Sequence, residues 1–138
     1  MRDALNRLSW NSGAGQAIAT QAVSENTINL GAANKQLALS GRVLGVHFFV
    51  VSTFTGMASG LRLEIVDDDN AALSSARIMA SSRILTTTDL VAGAYFFIPV
   101  QAGKYQQYLG AQYSPESEAA SGNIISWFGP EPEYICNT

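Results

Sequence analysis

Leu61-Arg62-Leu63-Glu64-Ile65 alternates apolar and charged residues with period two. At that spacing a strand turns one set of side chains inward and the other toward water. A second such segment places Tyr105, Leu109, Ala111 and Tyr113 on one set and Gln106, Tyr108 and Gln112 on the other. Turn signals punctuate the chain at Ser40-Gly41, Ser59-Gly60, Asp67 to Asn70, Ala92-Gly93, Ala102-Gly103-Lys104 and Ala120-Ser121-Gly122. Strands separated at such intervals predict an all-β, antiparallel sandwich or barrel rather than alternating βα units.

Three segments break the inside/outside rule. In residues 43–53 (VLGVHFFVVST) both alternate sets are apolar, and residues 94–100 (AYFFIPV) and 123–128 (NIISWF) behave alike. A strand apolar on both faces is covered on both. A two-sheet sandwich covers one face, so the second meets either the chain's own long connections or a partner. Pro99 predicts a strand end or an edge position, because proline cannot donate to the ladder. Residues 70–81 have a helix-compatible composition, but Ile78-Met79-Ala80 reads as strand leading into Ile84-Leu85. The first residues, MRDALNRLSWN, set Ala4, Leu5 and Leu8 at helical spacing with Trp10 beyond. They predict a short arm or helix over 1–13, followed by a β domain over 14–129 and an acidic tail over 130–138.

Composition narrows the function. Only 14% of residues are charged, against about 25% in an ordinary soluble domain, which suits a protein that covers its surface against another. Between Tyr105 and Thr138 stand Glu116, Glu118, Glu131 and Glu133 with no Lys or Arg. No basic stripe is available for a phosphate backbone, so nucleic acid is not an expected partner. No apolar run approaches a membrane span, and the start lacks the apolar stretch of a signal peptide; a cytosolic, soluble protein is expected.

Candidate chemistry is sparse. Cys136 is the sole cysteine, so neither a disulfide framework nor a cysteine metal site can be built. His47, the sole histidine, sits in an apolar strand with no neighbouring acid and reads as structural rather than catalytic. Asp67-Asp68-Asp69-Asn70 lacks the glycine and distal glutamate of a calcium loop and reads as a solvated turn. Gly13-Ala14-Gly15 lacks a third glycine and the strand-turn-helix setting of a nucleotide motif. Glu116/Glu118 and Glu131/Glu133 fall in polar or Pro-rich segments, as surface charge does. No cofactor, no metal and no enzymatic activity are expected.

The segment QAIATQAVSENTINLGAA, residues 16–33, resembles the opening strand pair of the jelly-roll capsid cement, or decoration, proteins of tailed bacteriophages. AALSSARIMASSRI (71–84) resembles that family's acidic turn and small-residue strand, and LVAGAYFFIPV (90–100) its glycine turn and apolar strand. GKYQQYLGAQYSPESEAASGNIISWF (103–128) is similar to its final hairpin. Where the family carries arginines in the penultimate strand, this chain has Lys104, Gln106 and Gln107, and residues 129–138 extend past the family's usual end.

The resemblance implies a jelly roll of about eight strands on the outer surface of a virion, assembled in the host cytoplasm. It implies the major capsid protein and other copies of the chain, as dimer or trimer, as partners. The expected contact residues are Leu5, Leu8, Trp10, Ala17, Ala19, Tyr105, Tyr108 and Trp127, with core packing as the competing role for the aromatic ones. Small Ala17 and Ala19 would let a neighbouring backbone approach closely. Three other readings stay open: a low-copy head-completion or tail module, a carbohydrate-binding jelly roll with coplanar Trp and Tyr, and a small enzyme.

Overall fold

A computed structural model describes residues 6–31, 35–37, 43–56, 59–101, 103–116 and 120–130. Its strands are β1 (Arg7–Ser9), β2 (Gln16–Ile18), β3 (Ala22–Val23), β4 (Ile28–Asn29), β5 (Lys35–Leu37) and β6 (Leu44–Thr55). They continue with β7 (Leu61–Asp68), β8 (Arg77–Ser81), β9 (Tyr95–Pro99), β10 (Gly103–Tyr105), β11 (Tyr108–Pro115) and β12 (Ser121–Pro130). One sheet runs β1-β12-β6-β9, with β2 also on β12. The other runs β3-β11-β7-β8, with β4 also on β11, and β5 and β10 form a separate ribbon.

Every pairing is antiparallel. If β1 with β2, and β3 with β4, each count as one interrupted strand, eight positions remain outside the ribbon. In chain order they read 1-8-3-6 in the first sheet and 2-7-4-5 in the second. That is the jelly-roll order, with β12 between the first strand and the third.

The interruptions have local causes. Between β1 and β2, Asn11, Ser12, Gly13 and Gly15 all adopt positive φ, so the chain leaves the ladder and returns. A Cβ on Gly15 would lie 3.1 Å from the Ile124 backbone, and only glycine fits this close return without displacement. Between β3 and β4, Ser24 bridges the gap. Its N–H donates to the Ala111 carbonyl at 2.8 Å, and its Oγ accepts from the Ala111 N–H at 3.1 Å.

The core lies between the sheets where period two predicts it. Leu61, Leu63 and Ile65 of β7 and Leu109, Ala111 and Tyr113 of β11 face Val46, Phe48 and Val50 of β6 and Ile124 of β12. Phe128 packs against the same cluster. Pro99 ends β9, which is the edge strand of its sheet. Ile78, Met79 and Ala80 belong to β8, so the second half of residues 70–81 is strand, as expected.

Three expectations change. The other face of β7 is not wet: Arg62 is exposed, but Glu64 is only 4% exposed and Val66 is buried. Glu64 Oε1 accepts from Gln112 Nε2 and Ser114 Oγ on the neighbouring strand. Leu73 folds over the same face, close enough that a Cβ on Gly110 would lie 2.5 Å from its Cδ1.

The acidic run is not a solvated turn either. Asp67 and Asp68 complete β7 and are buried, leaving Asp69 and Asn70 exposed. Arg77 donates to both carboxylate oxygens of Asp67 at 3.0 and 2.8 Å, and the Gln106 N–H donates at 2.9 Å. Asp67→Asn is expected to cost about 2 kcal/mol, the range of one charge-assisted hydrogen bond, as read from the urea midpoint; an unchanged midpoint contradicts this.

The third change concerns residues 1–13. Within their described part Arg7–Ser9 pairs with β12 as an edge strand, a 3-10 turn follows at Asn11–Gly13, and Leu8 is fully buried.

Candidate docking surface

Residues directly opposite each other on antiparallel strands project to the same face. Arg7 lies opposite Trp127, Trp127 opposite His47, and His47 opposite Phe97. Four strands therefore share one row, Arg7–Trp127–His47–Phe97, on the face of the first sheet turned away from the core. The next row toward the middle of β12 is Ile125–Phe49–Tyr95, and the row on the other side is Gly129–Gly45–Pro99. The glycine row makes room: the Phe97 ring leans over Gly45, where a Cβ would lie 2.8 Å from its Cζ.

His47 is the hub. Its ring stacks parallel to Trp127, with centroids 4.9 Å apart and planes within 1°. Phe97 and Tyr95 meet it at 4.8 and 5.8 Å in tilted geometry. Such pairs contribute about 0.5–1.5 kcal/mol each beyond area burial. A carbonyl only accepts, so Nε2 carries the proton and donates to the Pro130 carbonyl at 2.8 Å, while Nδ1 in the neutral ring accepts from the Tyr95 hydroxyl. At the end of the row the Arg7 guanidinium lies 3.9 Å over the Trp10 ring, a cation–π contact. Tyr95 remains 42% exposed.

The residues expected from sequence to make contacts separate into groups. Trp10 and Trp127 are half-buried and joined through Arg7. Ala17, on β2, and Ala19, just after it, are exposed beside β12. Tyr108 is half-buried on the other sheet, opposite Asn29 and Asp68, away from the aromatic row.

Leu8 and Tyr105 are core residues, and the Tyr105 hydroxyl donates to the Gln101 carbonyl at 2.6 Å. Their side chains offer no surface to a partner. Leu5 lies outside the described residues, as do Glu118, Glu131, Glu133 and Cys136. Arg7, Tyr95 and Phe97 went unnoticed as surface candidates because only the strand register aligns them with Trp127.

Elsewhere three of the described acids are engaged. The Ser75 N–H, chiefly, holds the Asp68 carboxyl below the usual carboxylate range. Arg83, with help from the Thr86 N–H, holds Asp89 at about 2. Glu116 pairs with Arg62 at 2.8 Å. Among the described residues no group of three or more His, Cys, Asp or Glu is placed to hold a metal ion, and no helix is long and apolar enough to cross a membrane. The rings of Tyr95 and Trp127 stand at 58°, so they do not form the coplanar platform that a sugar ring stacks on.

The model of the Bbp16 family matches residues 12–125, most of both sheets. The chain belongs to the Bbp16 family. Membership places it with a phage-related family. No curated protein matches it. The Bbp16 match includes His47, Tyr95 and Phe97, whereas Arg7, Trp10, Trp127 and Pro130 lie beyond its bounds.

Proposed function

We propose that this protein is a capsid cement protein of a tailed phage, bound to the outer surface of the head and bridging major capsid protein subunits. The observation that carries the reading is membership of a phage-related family across residues 12–125. The jelly-roll strand order and the low charge of the chain support it. So does the placement of the residues with reach outward. Trp10, Ala17 and Ala19 flank one edge of the first sheet, and Tyr108 lies on the second. A domain that touches neighbouring subunits through separate patches gains from effective concentration, so patches weak alone hold together. Self-association as a dimer or trimer belongs to the same reading.

Two experiments test it. Heads prepared without this protein should release DNA at a lower temperature than complete heads, and adding the purified chain should restore resistance; no difference between the two preparations contradicts the reading. For the contact itself, Ala17→Trp or Ala19→Trp should weaken co-sedimentation with heads about tenfold or more, a cost of about 1.4 kcal/mol. The side chains are exposed, so the urea midpoint should hardly move. Undiminished co-sedimentation of both variants removes this edge from the contact.

A further inference from the structure

We infer that β1 is an exchangeable strand: two copies of this chain form a dimer in which each lays its Arg7–Ser9 on the other's β12. Exchange rests on the self-association proposed above and names the contact that makes it; no head is required.

The seat of β1 is well defined. Leu8 and Ser9 are fully buried. The Leu8 carbonyl accepts from the Asn26 N–H at 2.9 Å, and Ser9 Oγ meets Tyr113 Oη and Gln16 Oε1 at 2.7 and 2.5 Å. Little ladder holds the strand there, however. It lies at the edge of its sheet, with Arg7 opposite Trp127, Ser9 opposite Ser126 and an irregularity between them. A second copy offers the identical seat, so exchange replaces each of these contacts by its equal. The connection over residues 10–15 then decides between the two arrangements.

In the closed arrangement that connection is folded up and strained. Ser9 lies beside Ser126 and Gln16 beside Ile124, so seven steps along the chain cover two positions of β12. Two positions are about 7 Å, whereas seven extended steps are about 24 Å. A turn takes up the slack: the Gly13 and Gly15 N–H groups donate to the Trp10 carbonyl, and the Ala14 N–H to the Asn11 carbonyl. The turn needs left-handed backbone at Asn11 (φ 43°), at Ser12 (φ 54°, ψ 28°) and at Gly13 and Gly15. Glycine enters that region freely and asparagine tolerates it, but serine adopts it at a cost. Straightened, the same residues carry β1 clear of its own seat toward a neighbour's, and Ser12 returns to ordinary extended backbone. Asn11, Ser12 and Ala14 are exposed, so water takes up the backbone groups that the turn releases. Short hinges under strain favour exchange for this reason.

Two substitutions at Ser12 push the equilibrium in opposite directions. Proline is fixed near φ −65° and cannot form the turn. Ser12→Pro should therefore be dimeric by light scattering at concentrations where the wild-type chain is still partly monomeric. Ser12→Gly relieves the closed form. A left-handed non-glycine residue costs about fivefold to thirtyfold in population, and each dimer contains two hinges, so the dissociation constant should rise about tenfold or more. The contact itself is read after refolding isotopically labelled and unlabelled Ser12→Pro chains together: an Overhauser signal between Ser9 of one chain and Ser126 of the other is expected.

A monomeric Ser12→Pro chain, or a dimer without the signal between chains, overturns the exchange. So does a wild-type dimer whose dissociation constant Ser12→Gly leaves unchanged; self-association then stands through another contact. If Ser12→Pro does not fold, the comparison of wild type with Ser12→Gly decides alone. Wild type and both variants all monomeric at millimolar concentration would remove self-association together with the exchange.

Discussion

Phe48→Ala is expected to lower stability by about 3–5 kcal/mol, the range for deleting a large buried aromatic side chain. Phe48 is fully buried at the middle of β6, and its ring meets Tyr113 of the opposite sheet edge-on, with centroids 6.1 Å apart at 85°. It therefore packs between sheets as well as along one. Its neighbours Val46 and Val50, and Ile124 on the adjacent strand, are held by the same ladder, so they cannot collapse freely into the space left behind. The cost should be visible as a large drop in the urea midpoint with little change in slope. A loss below about 1 kcal/mol, less than a typical core deletion, would mean that the sheets are not packed as described.

Tyr113→Phe should cost about 2–3 kcal/mol at neutral pH although it removes a single oxygen. Gln16 Oε1 can only accept, so Ser9 donates to it at 2.5 Å; Ser9 then accepts from Tyr113, and Tyr113 accepts from Ser126, both at 2.7 Å. The order Ser126→Tyr113→Ser9→Gln16 is thus fixed in direction. It joins the second sheet to β1, β2 and β12 of the first. Removing the central hydroxyl takes from buried Ser126 its acceptor and from buried Ser9 its donor, and unmet buried groups cost about 1–3 kcal/mol each.

The same hydroxyl gives a pH dependence of known sign. Burial pushes the Tyr113 phenol up to about 12, whereas an unfolded tyrosine ionises near 10. Below pH 10 both states keep the proton and the stabilisation is complete. As pH rises from 10 to 12 the unfolded state loses its proton first, so about 2–3 kcal/mol of stability disappears over that window. Urea midpoints at pH 8 and pH 11 should fall further for the wild-type chain than for Tyr113→Phe. Equal falls in the two proteins contradict the buried hydroxyl chain.

Period-two patterning carried the inner half of the fold. Leu61, Leu63 and Ile65, and Leu109, Ala111 and Tyr113, occupy the inward faces their spacing indicates. The outward half was less legible. Glu64 follows the alternating pattern to the letter, yet Gln112, Ser114 and the loop bearing Leu73 enclose that face. These partners are distant in sequence, and local alternation cannot report them. Asp67 looked like turn residue for the same reason: its stabilising partners, Arg77 and Gln106, are ten and 39 positions away.

The aromatic row shows the limit most clearly. The apolar excess of residues 43–53, 94–100 and 123–128 was visible, but Arg7, Trp127, His47 and Phe97 come into line only once three pairings have set their registers. Leu8 and Tyr105 erred in the other direction. Each is a large apolar residue near a predicted boundary, where exposure and burial look alike in a sequence, and each is core.

The central claim is that this jelly roll coats a phage head. The measurement that tests it most directly is the number of copies of this chain per copy of major capsid protein in purified particles, by quantitative mass spectrometry. A cement protein predicts hundreds of copies in a simple ratio to the capsid subunit. A dozen copies or fewer, or none, contradicts it.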